Sequence, residues 1–328
     1  MVFFAGSSPR ARGLRALGPE RVLAVKRVNL TTILIVAGIA FVLFVGVILF
    51  AALLLTGGGG WGSLGGERVA VVYLEGPIFD SKPVNEHLKM YADDSRVKAI
   101  LLRIDSPGGG VAASQEIYDQ VKWVRQERNK TVVVSMGSVA ASGGYYVASA
   151  ADRIVANPGT ITGSIGVIAE YVNYGELLKW AQLHSEVIKS GEFKDSGSPT
   201  RPITPREREY LQGLINQMYA QFINAIVEGR GDKGPPRERL MQLADGRVYT
   251  GEEAIKEKLI DDLGNYEKAL KITAEMVGIR GEPSVVTPPK PSRGSILDLL
   301  TKTDLGGLIT SGAIQPPGSS LQFQYLWK

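Results

Sequence analysis

Thr131-Val132-Val133-Val134-Ser135-Met136-Gly137-Ser138-Val139-Ala140-Ala141-Ser142-Gly143-Gly144-Tyr145-Tyr146 is the stretch on which the fold turns. Its first six residues, mostly apolar and β-branched, read as a short buried strand. Residues 147–152 then supply a run of small helix formers. Ser142 therefore sits past the end of a strand and at the start of a helix, with small neighbours on both sides. Such a hydroxyl is not walled in, a helix N-terminus favours developing negative charge, and glycine lets a carbonyl approach backbone N–H groups. The same residues also suit a plain close-packed corner between strand and helix, and both readings stand at this point.

Working outward, apolar runs at 69–74, 99–104 and 153–156 read as further buried strands, and 81–94 and 111–128 as helices. A helix at 174–183 and a strand at 184–189 follow. Thr204, Pro205 and Glu207 form a capping-box start for a long amphipathic helix reaching residue 228. Shorter helices are expected at 236–243, 251–257 and 265–277. Strands alternating with helices indicate an α/β domain with repeated crossovers. Three glycine-rich loops lie at strand ends: 105–110, 137–144 and 157–167. The amides of Gly108, Gly109 and Gly143 are candidates to hold an oxyanion. A phosphate cradle is the rival reading, but no Gly-Lys-Ser/Thr ending follows either glycine run.

Composition removes several classes of chemistry. The 328-residue chain has no cysteine, which excludes thiol nucleophiles, cysteine-bound zinc and disulfides. Two histidines, His87 and His184, are too few for a histidine-rich metal site, so no metal or cofactor is expected. The net charge of +4 is concentrated at the N-terminus, where Arg10, Arg12, Arg15, Arg21, Lys26 and Arg27 face only Glu20. The remainder is close to neutral, and nucleic-acid binding loses its compositional support. A reactive Ser142 needs a base, and neither histidine lies in a site-forming loop. A lysine serves if it is neutral, and Lys194, next to Phe193 in a glycine-flanked loop, is the candidate. The bland alternative is one more surface lysine.

Residues 31–55 carry no charge and are long enough, at about 1.5 Å per residue, to cross a hydrocarbon core of roughly 30 Å. A cleaved signal peptide would have a shorter apolar region and a small-residue cleavage site. The expectation is an uncleaved anchor contacting membrane lipid, with basic residues 1–30 cytoplasmic and everything beyond residue 56 outside the cell membrane. A glycine-rich linker (56–66), the folded domain (67–280) and a loosely held Pro/Gly-rich tail (281–328) complete the organisation, with a short helix at 295–301. The apolar end of the tail, 321–327, is a candidate occupant of a substrate groove.

Five ordered segments carry a family resemblance: Asp105-Ser106-Pro107-Gly108-Gly109, Ala141-Ser142-Gly143-Gly144-Tyr145-Tyr146, Thr162-Gly163-Ser164-Ile165-Gly166-Val167, Lys189-Ser190-Gly191-Glu192-Phe193-Lys194-Asp195 and Ala244-Asp245-Gly246-Arg247-Val248-Tyr249-Thr250-Gly251. With them the chain resembles signal peptide peptidase A (protease IV) in its short, single-unit form, over residues 69–275 and the anchor. The resemblance implies an α/β fold of repeated ββα units like that of Clp protease and crotonase. It implies a serine endopeptidase with Ser142 as nucleophile, Lys194 as general base and Ser164 orienting the lysine. Gly143 with Gly108 or Gly109 would form the oxyanion hole. It further implies a homo-oligomer, an octameric ring in which Ser142 of one subunit meets Lys194 of the next, acting on signal-peptide remnants with apolar or small side chains in the specificity pocket. A crotonase-like acyl-CoA enzyme and a catalytically inactive membrane scaffold are the competing classes.

Overall fold

The computed structural model describes residues 30–56, 67–289 and 322–326. The chain forms two compact units, Met1–Leu64 and Gly65–Lys328. Most of the basic N-terminus, the glycine-rich linker and the helix expected at 295–301 lie outside the described residues.

In the first unit, α1 (Leu30–Thr56) is a single helix of 27 residues. Its described side chains, between 34 and 48, include the apolar run Phe41, Val42, Leu43, Phe44 and Val45, all exposed, so this stretch is apolar all round. That described stretch is itself shorter than a bilayer, and among the described residues no helix is long and apolar enough to cross a membrane.

The second unit is built on β1 (Arg68–Glu75), β2 (Val97–Ser106), β4 (Thr131–Ala141) and β5 (Arg153–Ala156). Together with β9 (Asp262–Leu263) and β10 (Ser284–Val286), they pair in parallel in the order β10-β1-β2-β4-β5-β9. Parallel strands need helical crossovers, and those helices bury both faces of the sheet, which is why the strand centres read as near-continuous apolar runs. Alternation sorts the residues. Ala70, Val72, Ile100, Leu102, Val132 and Val134 face α2 (Lys82–Asp93), α3 (Val111–Gln126), α4 (Gly143–Ser149) and α6 (Pro205–Arg230). Val69, Val71, Leu101, Val133 and Val155 face Ala269, Leu270 and Ala274 of α9 (Tyr266–Met276). The mixed α/β expectation holds. The capping box on α6 is present, with Glu207 N donating to Thr204 Oγ1 and Thr204 N donating to the Glu207 carboxylate. Arg230, at the far end of α6, is locked by two hydrogen bonds to Asp261.

The sheet continues past its parallel core. Beyond a register shift between Ile104 and Ser106, the last residues of β4 leave β5 and pair with β6 (Ile161–Gly163), which in turn pairs antiparallel with β8 (Val248–Thr250). A second, three-stranded sheet has the order β3-β11-β7: β3 (Gly108–Gly110), β11 (Gln322–Leu326) and β7 (Ile168–Glu170). Two expectations are corrected. Residues 184–189 are not a strand; all are exposed and follow α5 (Gly175–Trp180) without a ladder partner, so β propensity has nothing to pair with. The end of the tail is not loosely held, because β11 is hydrogen-bonded on both edges.

Candidate functional site

Ser142 is set by the junction of β4 and α4. Its φ of +53° and ψ of −115° are a conformation non-glycine residues avoid, costing on the order of 1–3 kcal/mol. The surroundings over-determine it: Ser142 N donates to Gly163 O at 2.8 Å and Ser142 O accepts from Tyr146 N at 2.8 Å. Next door, a Cβ on Gly143 would lie 2.5 Å from Ser114 Oγ and 3.2 Å from both Gly108 Cα and Gly109 N. Glycine at 143 is thus required by close approach of the β3 backbone, which Ser114 braces by donating to Gly110 O at 2.9 Å. A sharp strand-to-helix turn presenting a serine is the arrangement that exposes a nucleophile at a sheet end.

Ser164 follows β6 with a φ of +50°, fixed by its amide donating to Arg247 O at 2.8 Å. Ser142 and Ser164 line one cavity of 460 Å³, together with Ile165, Tyr219 and Asp245. Arg247 holds Asp245 below the usual carboxylate range, keeping it charged at the rim.

A peptide strand lies beside the serine. Ile78 takes the Gly108 carbonyl and the Gly110 amide at 2.9 and 2.8 Å, so alternation along β3 turns the Gly109 amide towards β11. There Tyr325 is the register partner of Gly109, and Leu326 that of Gly108. A Cβ on Gly108, whose φ is +99°, would strike the Tyr325 carbonyl oxygen and stand 2.6 Å from Gly143 N. The carbonyl of Tyr325 and the amide after Ser142 therefore converge on the same bare face of Gly108. The Tyr325 side chain is fully buried. It stacks on Tyr146 with centroids 5.3 Å apart, meets Phe222 at 4.7 Å and donates its hydroxyl to Met218 O at 3.0 Å. Burial raises the phenols of Tyr146, to about 12, and of Tyr325, so both stay neutral.

Thus the chain brings together Ser142, Ser164, Gly143, Gly108 and Gly109, but it does not bring Lys194 to them. Lys194 sits in the 3-10 turn Glu192–Asp195, is exposed, and is not among the residues lining the Ser142 cavity. His184 is exposed and His87 half-buried; neither lines that cavity. Among the described residues no group of acidic and histidine side chains is placed to hold a metal ion. Sequence reasoning missed Tyr146, Phe222 and Met218 as the walls of a side-chain pocket. Their spacing looks like ordinary core, and only β11 shows what they receive.

Two family models match the chain. The model of peptidase family S49 matches residues 124–280, and the Clp protease model matches residues 67–159. A putative protease of Synechocystis is 39% identical over 230 residues, covering 69% of this chain and 81% of that protein. One of Methanocaldococcus jannaschii is 36% identical over 237 residues, covering 68% and 74%. A putative signal peptide peptidase SppA of Enterococcus faecium is 36% identical over 183 residues, covering 56% and 52%.

Proposed function

Because the chain belongs to peptidase family S49, the family of signal peptide peptidase A, and is a serine-type protease, we propose that it is an endopeptidase working through a Ser142–Lys194 dyad. The observation that carries this reading is the strained Ser142 corner beside a threaded peptide strand, whose Tyr325 carbonyl and the Gly143 amide both face the bare side of Gly108. In the reaction, neutral Lys194 takes the Ser142 proton and Oγ attacks the substrate carbonyl. The oxyanion rests on the amides of Gly143 and of Gly109 or Gly108. The lysine then gives its proton to the leaving amine, and water releases the acyl group from Oγ. Ser164, in the same cavity, orients the lysine amine.

Lys194 stands on an exposed turn outside the cavity, which supports a site completed by a second copy in a ring, octameric as the family resemblance suggests. Mixing tests it. Ser142→Ala and Lys194→Ala are each inactive alone, and the mixture regains part of the activity because some interfaces pair an intact serine with an intact lysine. A mixture as inactive as its parents removes the shared site. Full activity in Lys194→Ala removes the lysine from the mechanism.

Substrates are apolar peptides, with signal-peptide remnants in the membrane as the physiological class. The all-round apolar surface of α1 between residues 34 and 48 supports a single-pass anchor with the catalytic unit on the extracytoplasmic side. For the specificity pocket the expectation shifts from apolar or small side chains to aromatic ones, since Tyr146, Phe222 and Met218 O enclose a tyrosine. The position of β11 also favours a second role for the tail: it fills the substrate groove of its own chain as an internal competitor. Removing residues 322–328 should raise turnover of a short aromatic peptide; unchanged turnover rules out the competitor.

A further inference from the structure

The turn carrying Lys194 is pinned through the side chains of its other three residues. Glu192 pairs with Arg206 at 2.9 Å, and its carbonyl accepts from Lys189 Nζ at 2.8 Å. Phe193 packs on Tyr210 of α6, ring centroids 5.0 Å apart. Asp195 receives Lys189 Nζ on one oxygen, and Arg201 Nε on the other at 3.0 Å. Lys194 contributes its amide to Gly191 O, and among the described residues its amine makes no hydrogen bond or ion pair.

Arg201 joins this turn to the rest of the unit. Its guanidinium reaches Asp195 with one edge and both oxygens of Glu207 with the other, through Nη1 at 2.9 Å and through Nη2. Glu207 is 2% exposed, and it is also the carboxylate that closes the capping box of α6. Bonded to Arg201 first and to Thr204 as well, its carboxyl is held at about 2 against the opposing effect of burial, so the link is charged at any working pH. A planar fork with donors on two edges can grip one carboxylate with both nitrogens while holding a second, a fixed geometry that the point charge of a lysine does not reproduce. The consequence is geometric: the position of Lys194 is tied, through Asp195 and Arg201, to the first turn of a 26-residue helix as well as to its own exposed loop.

We propose that Arg201, clamped between Asp195 and Glu207, is the positioning residue of the general base. It fixes the turn Glu192–Asp195 so that Lys194 is delivered at the correct height to the serine site. This rests on the reading of Lys194 given above. Displacing a reacting group by about 1 Å costs roughly 100-fold in rate. Arg201→Ala, prepared as the full chain in detergent and assembled like wild type by size exclusion, should lose about 10–100-fold in kcat on a peptide substrate, with KM changed by less than about two-fold. Arg201→Lys should recover only part of that loss, and Asp195→Asn, which leaves the Arg201–Glu207 pair intact, should reproduce it. An assembled Arg201→Ala protein with kcat within about two-fold of wild type overturns the proposal. If that variant does not assemble, Asp195→Asn decides by the same criterion. Lys194→Ala, measured alongside, separates the two readings. Should it stay active, the dyad itself is wrong; should it be inactive while Arg201→Ala is not, only the clamp is.

Discussion

Replacing Tyr325 with alanine isolates what holds the tail in the groove. The ring is fully buried against Tyr146 and Phe222, with its hydroxyl on Met218 O. Burying an aromatic side chain removes about 150–250 Å² from water, worth roughly 4–6 kcal/mol as an upper bound at about 25 cal/mol per Å². Large-to-small changes of this kind cost about 3–5 kcal/mol. Here the lost docking energy should sit at the low end, about 3 kcal/mol, because β11 keeps its backbone ladder on both sides. At about 1.4 kcal/mol per factor of ten, the ratio of open to docked tail rises roughly 100-fold. Two assays read it. Deuterium uptake in peptides covering 108–110 and 322–326 should accelerate, and hydrolysis of a short aromatic peptide should speed up. Tyr325→Phe keeps the rings and loses one hydrogen bond worth about 1 kcal/mol, so its effect should be only about five-fold. If Tyr325→Ala matches wild type in both exchange and turnover, the aromatic pocket does not hold the tail and the specificity argument drawn from it fails.

The remaining predictions concern backbone and charge. Gly143→Ala should cut activity by at least about 100-fold, since its Cβ meets the Ser114 hydroxyl and the β3 backbone. Adding Ser114→Ala should not restore it, because the contacts with Gly108 Cα and Gly109 N remain; restored kinetics would mean the backbone can yield. Gly108→Ala should expel any strand lying on β3, given a φ of +99° and the collision with the Tyr325 carbonyl. It is checked by the same exchange experiment, and protected amides at 322–326 would contradict it. For pH, the folded Glu207 carboxyl titrates near 2 against an ordinary 4.5. Its stabilising effect is therefore complete above 4.5 and lost as pH falls towards 2. Melting temperature should fall more steeply through this window in wild type than in Glu207→Gln; equal slopes would show that the Arg201–Glu207 link carries no pH-dependent stability.

What could be read from sequence, and what could not, divides along the range of the interactions involved. The parallel sheet was legible because Val69–Val72, Ala99–Leu102 and Val132–Val134 are buried on both faces and so carry unbroken apolar runs. The α6 start was legible because a capping box is a four-residue device. Residues 184–189 misled because β-branched and apolar residues in an exposed arm look the same as those in a sheet. Val187 and Ile188 are both at least half exposed. The pocket for Tyr325 is made by residues more than a hundred positions away from it, and no local pattern encodes which distant aromatic residues will enclose a third. Arg201 was overlooked for a similar reason: its neighbours in sequence are a proline-rich turn, and its importance lies in joining Asp195 to a buried Glu207.

The two halves of the proposed dyad are built to different standards of rigidity, and this has a physical consequence. Ser142 lies just past the central strand β4, 1% exposed, in a backbone conformation only a packed surrounding can impose. Lys194 lies on an exposed turn whose anchors are ionic, and exposed ionic contacts lose strength with salt while buried packing does not. Added salt should thus spare the serine corner and loosen the delivery of the base. Rising ionic strength should lower kcat, while the fold, followed by the melting temperature, stays within a few degrees. Since Glu207 is buried, the Arg201–Glu207 arm should resist screening longest, and Arg201→Ala should make activity more sensitive to salt than wild type. A salt response identical in the two proteins would mean that the turn is held by packing of Phe193 on Tyr210 rather than by charge.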